Sequence, residues 1–298
     1  MSELGSAGNV ADAASSAAVR ESLVTVPQVL AIAAPDALAI TAPPSTITRD
    51  RLSAIAYPVA TFTLLLLAWQ FLVRLFGVPE YILPVPSEFL VKLAESRALI
   101  WQHTLVTANE ILLGFLLAAA IGVPLGLMIV SVKFLERSLY PLILFFQLIP
   151  KIAIAPLFIV WFGFGPFPKV LLTFLLCFFP TLVASMTGFR ALDDRVLYLS
   201  RSMGATAWQT FRYIRLPSAL GHIFGGFKVS VVFAATGAIV AEFVGANSGL
   251  GYLLLRATSY LDMPLIFAVL VALSAVGILF SYAVQLLERL CMPWLRKR

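Results

Sequence analysis

"SRSMGATAWQTFRYIRLP", residues 200–217, is a polar passage with three arginines in an otherwise apolar chain. Gly204 and Pro217 punctuate it, and long hydrophobic blocks flank it on both sides. Over 298 residues the chain is 60% hydrophobic and 12% charged, with a mean hydropathy of +0.96. Soluble domains carry about 25% charged residues to cover their surface, so this composition excludes that class. Runs such as "YPVATFTLLLLAWQFLVRLF" and "VLLTFLLCFFPTLVASM" are instead long enough for membrane helices, which need about 20 mostly apolar residues.

Read as local structure, "ALDDRVLYLSRSMGATAWQTFRYIRLP" predicts two short helices. Asp193 and Asp194 can cap the first, because carboxylates satisfy exposed N–H groups there. Val196, Leu199, Ser200 and Met203 fall on one face, and Gly204 is a natural left-handed terminator. Thr206 and Gln209 have capping-box spacing for the second helix. Trp208, Phe211 and Ile214 then share a face, Arg212 lies off it, and Pro217 is expected to stop the helix. Such a pair is either an interfacial tether with arginines at lipid headgroups or a rigid knob that docks a cytoplasmic partner.

Outward from this passage, six spans are expected: 53–76, 104–131, 138–162, 169–189, 218–244 and 264–287. "LIPKIAIAP" interrupts the third, where Pro150 and Pro156 remove backbone donors and invite a kink. A Pro-rich turn and a short interfacial helix are expected between the first two spans, and another short helix at "YLLLRATSYLD" after "GANSGLG". Residues 1–50 read as a flexible cytoplasmic tail without a signal peptide, and residues 51–298 as the transmembrane domain, with the loop at 190–217.

Basic residues orient the spans. A cytoplasmic N-terminus places Arg20, Arg49, Arg51, Lys133, Arg137, Arg190, Arg195, Arg201, Arg212, Arg215, Arg289, Arg296, Lys297 and Arg298 inside. The other side then holds only Arg74, Lys92, Arg97, Lys169 and Arg256, while Lys151 and Lys228 fall within spans. Both termini and the opening passage are therefore expected in the cytoplasm. The net charge of +6 follows membrane placement and does not point to nucleic acid.

The order of Gly204, nine residues, Ile214, Arg215, Leu216 and Pro217 resembles the loop motif of permease subunits of type I ATP-binding-cassette importers. Tyr198, Leu199 and Ser200 stand where that motif has Glu-Ala-Ala. "LPVPSEFL", "IPKIAIAPLFIVWFGFG" and "AEFVGANSGLGYLL" are similar to the nitrate/sulfonate/taurine branch, and the resemblance covers about residues 60–290. It implies an all-α polytopic membrane protein with about six transmembrane helices and a short cytoplasmic coupling-helix pair. It further implies a homodimer in the bacterial inner membrane, two ATPase subunits inside and a solute-binding protein outside. Arg201, Ser202, Met203, Gly204, Ala205, Trp208, Phe211, Ile214, Leu216 and Pro217 would then couple to the ATPase. ATP and magnesium would be held by that partner, and the chain has no GxxxxGK[ST] loop of its own.

Ionisable residues inside spans mark function or structural pairing. Lys151 follows Pro150 near the middle of span three, and Glu242 lies late in span five. With Phe146 and Trp161 they form the expected translocation path. Lys228 and Glu110 read as snorkelling or interhelical pairs, and His103 and His222 as residues near span ends. Gly122 with Gly126, and Gly221 with Gly225, have small-xxx-small spacing for close helix approach, within one subunit or at a dimer seam. Cys177 and Cys291 have no disulfide or metal spacing, and no metal cluster, catalytic triad or carboxylate pair assembles, so a subunit without catalysis is expected. A secondary transporter or channel is the alternative; in either case Lys151 suits an anion and Phe145, Phe146, Trp161 and Phe164 suit an aromatic cargo.

Overall fold

Prolines set many of the helix starts. Pro86, Pro156, Pro166, Pro217 and Pro264 each sit in a first helical turn, where a missing N–H leaves nothing unsatisfied. The computed structural model describes residues 47–293. The tail up to residue 46, with Arg20, and the terminal Arg296, Lys297 and Arg298 lie outside the described residues.

The long helices are α1 (Ile47–Leu75), α3 (Arg97–Ser131), α6 (Pro166–Arg190), α9 (Leu216–Gly245) and α11 (Met263–Cys291). Between them lie α2 (Pro86–Glu95), α4 (Lys133–Leu148), α5 (Ala155–Phe162), α7 (Asp194–Ser202), α8 (Ala207–Thr210) and α10 (Leu250–Ser259). No strand occurs among the described residues. Five helices are long and apolar enough to cross a membrane, or six spans if the bent pair α4–α5 counts as one. α2 and α10 are the two short helices expected between spans. By contact the chain divides at residues 64 and 65: the first unit holds the start of α1, and the second its remaining turns and all later helices.

The second unit is built on α3, α6 and α9. Their contact line is small and weakly polar: Gly114, Ala118, Gly122 and Gly126 on α3 face Thr173, Thr181 and Ser185 on α6. A Cβ on Gly126 would stand 2.8 Å from Ser185 Cβ, and one on Gly237 of α9 would stand 2.9 Å from Thr173 Cα. Between α6 and α9, Thr181 and Ser230 share a 2.8 Å hydroxyl hydrogen bond and Cys177 Sγ donates to Ser230 O at 3.2 Å. Apolar contacts complete the core through Ile111, Phe115, Val231 and Ala234. The outward sides of these helices keep large apolar residues exposed, among them Leu112, Leu116 and Val232.

Within the subunit Gly221 and Gly225 do not pack: both face open space on α9, and Gly226 beside them makes the close approach, to Ala184. Register decides this, because adjacent residues on a helix face directions about 100° apart. Pro217 corrects the sequence reading. It does not stop the helix, which runs on from Ala207 to Gly245. A π turn at Phe211–Arg215 lets Leu216 N–H reach Phe211 O, which shifts the ladder by one residue where Pro217 offers no donor.

The expected kink in span three is a break. Ile149 is extended (φ −63°, ψ 131°), as a residue before proline prefers, and Pro150 opens a 3₁₀ turn at Lys151–Ile154. The two arms meet at 76°. Lys228 pairs with Glu288 across α9 and α11 at 2.5 Å, the interhelical pair of the two roles left open by the sequence.

Gly126→Val should destabilise the protein by about 1–3 kcal/mol through overpacking against α6. Gly225→Val, which meets no atom within 4 Å, should leave the melting temperature of the detergent-purified chain unchanged. Equal melting of both variants would refute the close-packed line.

Candidate functional site

Asp193 opens α7 by accepting a hydrogen bond from Arg195 N–H at 2.9 Å. The helix ends in a Schellman turn: Gly204 N–H donates to Arg201 O at 2.9 Å and Ala205 N–H to Ser200 O at 3.0 Å. Gly204 has φ +79° and open space where a Cβ would lie, so the backbone conformation itself requires glycine. Thr206 then opens α8 with a capping box. Gln209 N–H donates to Thr206 Oγ1 at 3.3 Å, and Thr206 N–H donates to Gln209 Oε1 at 2.8 Å.

A groove of about 500 Å³ lies between the two helices, lined by Leu199, Met203, Ala205, Tyr213 and Ile214 among others. Arg201, Ser202, Met203 and Trp208 point outward, and Met203 is 78% exposed. Phe211 and Leu216 turn the other way and pack with Phe189, Ala219 and Ile223. Of the expected common face, Trp208 and Phe211 stay together with rings 5.7 Å apart, Phe211 reaching from the exposed Trp208 to the bundle, while Ile214 lines the groove. Ion pairing of Arg190 with Glu136 ties the base of this loop to α4, and the Arg190 guanidinium lies 5.4 Å from the centre of the Tyr140 ring.

At the break in span three, Lys151 Nζ donates to Gln147 O at 2.8 Å and sits 4.7 Å from the Phe179 ring centre. Lys151 is half-buried, while Phe145, Phe146, Trp161 and Phe164 are exposed around the two arms.

The opposite end of the bundle holds a buried polar cluster. Glu242 of α9 is 1% exposed. Its Oε1 accepts from Thr107 Oγ1 at 2.7 Å and its Oε2 from Gly251 N–H at 2.5 Å, at the start of α10. Thr107 Oγ1 also accepts from Leu250 N–H at 2.7 Å, and His103 Nδ1 from Gly249 N–H at 2.9 Å. The unpaired N–H groups of a helix start are thus met by a carboxylate, a hydroxyl and an imidazole from α3 and α9. Gly249 and Gly251 permit it, since a Cβ on either would run into Glu242. Next to this, Lys169 of α6 pairs with Glu110 of α3, their side chains 8% and 4% exposed. Among the described residues no group of His, Cys, Asp and Glu is placed to hold a metal.

Residues 111–297 match the family described as binding-protein-dependent transport system inner membrane component. The chain belongs to that family. It is 36% identical over 242 residues to the formylaminopyrimidine transport permease of Halalkalibacterium halodurans, covering 81% of this chain and 96% of the relative. It is 39% identical over 243 residues to the riboflavin transport system permease of Chloroflexus aurantiacus, covering 81% and 90%. The fold is similar to a chain of the MetNI methionine ABC transporter in inward-facing conformations, with a TM-score of 0.57, 20% identity, and 64% and 97% coverage.

This permease is accordingly a multi-pass inner-membrane subunit of an ATP-binding-cassette importer, the part that carries the solute path and couples to the ATPase. The structure gathers the residues expected to couple at one end, and Lys151, Phe146 and Trp161 along the broken span. Glu242 is not with them: its carboxylate is taken up by the start of α10. Thr107, His103 and Lys169 were missed as partners. The signal was present in "GLG" at 249–251, two glycines at a helix start that leave room for an anion.

Lys169→Met should cost about 3–5 kcal/mol, because it leaves the Glu110 carboxylate buried and unpaired. The double variant Lys169→Met/Glu110→Met should recover most of that loss. Additive melting losses in the double variant would show that the two side chains do not act as a pair.

Proposed function

We propose that this permease works as a homodimer with both termini and residues 190–217 in the cytoplasm, and that the α7–α8 pair docks in a groove of the ATPase. The observation that carries this is the turn at Gly204. Its Schellman bonds and the Thr206–Gln209 capping box fix both helices, while Met203 and Trp208 keep most of their surface exposed, Trp208 resting one ring face near Phe211. A loop held this firmly can transmit a closing motion of its partner to α9, into which α8 runs without a break. ATP and magnesium belong to that partner, and the permease itself carries no catalytic site. The lysines and arginines concentrated at the loop end support the orientation.

The second copy is supported by the break in span three. Backbone outside a helix is tolerated at membrane depth only when protein or a water-filled cavity covers it. Ile149 and Pro150, with the Lys151 ammonium beside them, therefore face a twin subunit and the path between the two. Phe146 and Trp161 line that path with Lys151. The cargo is a planar nitrogen heterocycle, a reading that rests on relatives named for formylaminopyrimidine and riboflavin and on the aromatic side chains around the break.

Gly204→Val should leave the spans inserted but forbid the left-handed turn, at roughly 1 kcal/mol or more. ATPase co-purification should fall, or hydrolysis should continue without uptake. Trp208→Ala should weaken co-purification without changing the fold, whereas Phe211→Ala should act mainly on bundle stability. Full ATPase retention and wild-type uptake in both Gly204→Val and Trp208→Ala would reduce the loop to a tether.

In proteoliposomes with ATPase and binding protein, uptake of a labelled pyrimidine or flavin should exceed that of taurine. Lys151→Met should slow uptake about tenfold, equal to about 1.4 kcal/mol, with assembly intact. Preferred uptake of taurine would overturn the cargo, and unchanged uptake in Lys151→Met would remove that residue from the path.

A further inference from the structure

The chain ends three helices with the same turn, two of them on glycine and one on leucine. After α1 and α7 the left-handed positions are Gly77 and Gly204. After α10 the same pair of bonds recurs, with Asp262 N–H donating to Ala257 O at 3.0 Å and Leu261 N–H to Thr258 O at 3.1 Å. Here the left-handed residue is a leucine, at φ +55°, the one non-glycine residue with positive φ among the described residues. L side chains with a β carbon avoid this conformation, and glycine would adopt it freely.

Such strain persists only where the surroundings over-determine it. Asp262 does so. Besides closing the turn, its Oδ1 accepts from Leu265 N–H at 3.1 Å to start α11, and its Oδ2 pairs with Lys92 of α2 at 3.0 Å. The result is an apolar projection: Tyr260 is 75% exposed and Leu261 63%. Folding gains nothing visible from the leucine side chain, since it is not packed.

The ground beside the projection is acidic. Glu80, Glu88, Glu95 and Asp262 line a cavity of about 370 Å³ in which Lys92 is the one basic side chain. Lys92 is already paired with Asp262, and Glu80 and Glu95 are exposed without an ion pair among the described residues.

We propose that Tyr260 and Leu261 form a docking knob for the solute-binding protein, which receives them in an apolar pocket with a basic rim matched to Glu80 and Glu95. This rests on the orientation proposed above, which puts the turn between α10 and α11 outside the membrane. Acidic side chains next to an apolar anchor suit a protein partner with complementary charge, because the anchor supplies affinity and the charges steer the encounter. A bilayer surface with anionic headgroups would instead be repelled by Glu80 and Glu95. The position also suits transmission. α10 is bolted to α3 and α9 through Glu242 and Thr107, so a load on the knob reaches the helices of the bundle core.

The test uses the permease with its ATPase subunits in nanodiscs, titrated with the binding protein while stimulated ATP hydrolysis is followed. Leu261→Gly removes the side chain and the strain together. Its melting temperature should equal or exceed wild type, with a rise of about 2 °C, while the half-stimulating concentration of binding protein rises at least about tenfold. Glu80→Lys/Glu95→Lys should raise that concentration as well, and should flatten its dependence on salt. An unchanged half-stimulating concentration in Leu261→Gly would overturn the knob, and so would a lowered melting temperature, which would make the leucine a folding residue. If the wild-type complex shows no stimulation by any binding protein while ATPase still co-purifies, the outward assignment of this turn fails, and the knob with it. Loss of co-purification in wild type would strike the importer reading itself.

Discussion

The close approach of α3, α6 and α9 underlies everything else in the permease. Hydrocarbon tails are as apolar as leucine, so burying leucine against leucine gives two membrane helices little reason to associate. What remains is dispersion between well-fitted surfaces and a few hydrogen bonds. Gly114, Gly122, Gly126, Gly226 and Gly237 let the backbones come near enough for both. The hydroxyls of Thr181 and Ser230 meet at 2.8 Å across α6 and α9 only because that distance has been closed, while Ser185 returns its hydroxyl to Thr181 O within α6 at 2.7 Å. Large side chains are left for the outer faces, where Leu112, Leu116 and Val232 stay exposed.

This core makes the polar features affordable. Glu242, Glu110 and Lys169 would each be costly in a lipid-facing position, yet all three are buried where the core helices meet, and each has a partner. Their joint effect is mechanical. Thr107 from α3 and Glu242 from α9 hold the start of α10, so that short helix cannot shift without disturbing two core helices. At the other end the continuous helix from Ala207 to Gly245 joins the α7–α8 pair to the same core. An importer subunit needs mechanical continuity between the face that meets its motor and the face that meets its cargo. Here α9 supplies it in one piece, with the π turn at Phe211–Arg215 as the single irregularity.

Much of this was legible in the residues, wherever the physics is local. Twenty apolar residues must be a span, a Gly between two short amphipathic runs ends a helix, and Thr206 with Gln209 three positions on opens one. Pro150 after Ile149 broke span three as its missing donor requires. The family was equally legible, from Gly204 through Pro217.

What tertiary structure alone decided is which faces meet. Sequence spacing marked Gly221 and Gly225 as a packing stripe, yet the bundle turns Gly226 inward instead, since adjacent helical residues differ by about 100° in direction. Pro217 read as a stop, but one π turn absorbs a missing donor when the following helix is anchored by its own core contacts. Phe211 looked like an outward anchor beside Trp208, yet its ring, 5.7 Å from that of Trp208, also packs against Phe189, Ala219 and Ile223 of the bundle. Lys169 pairs with Glu110 from 59 residues away, and Thr107 pairs with Glu242 from 135 away. No local pattern carries such pairings, because they are set by the register of helices that touch only after the whole chain has packed.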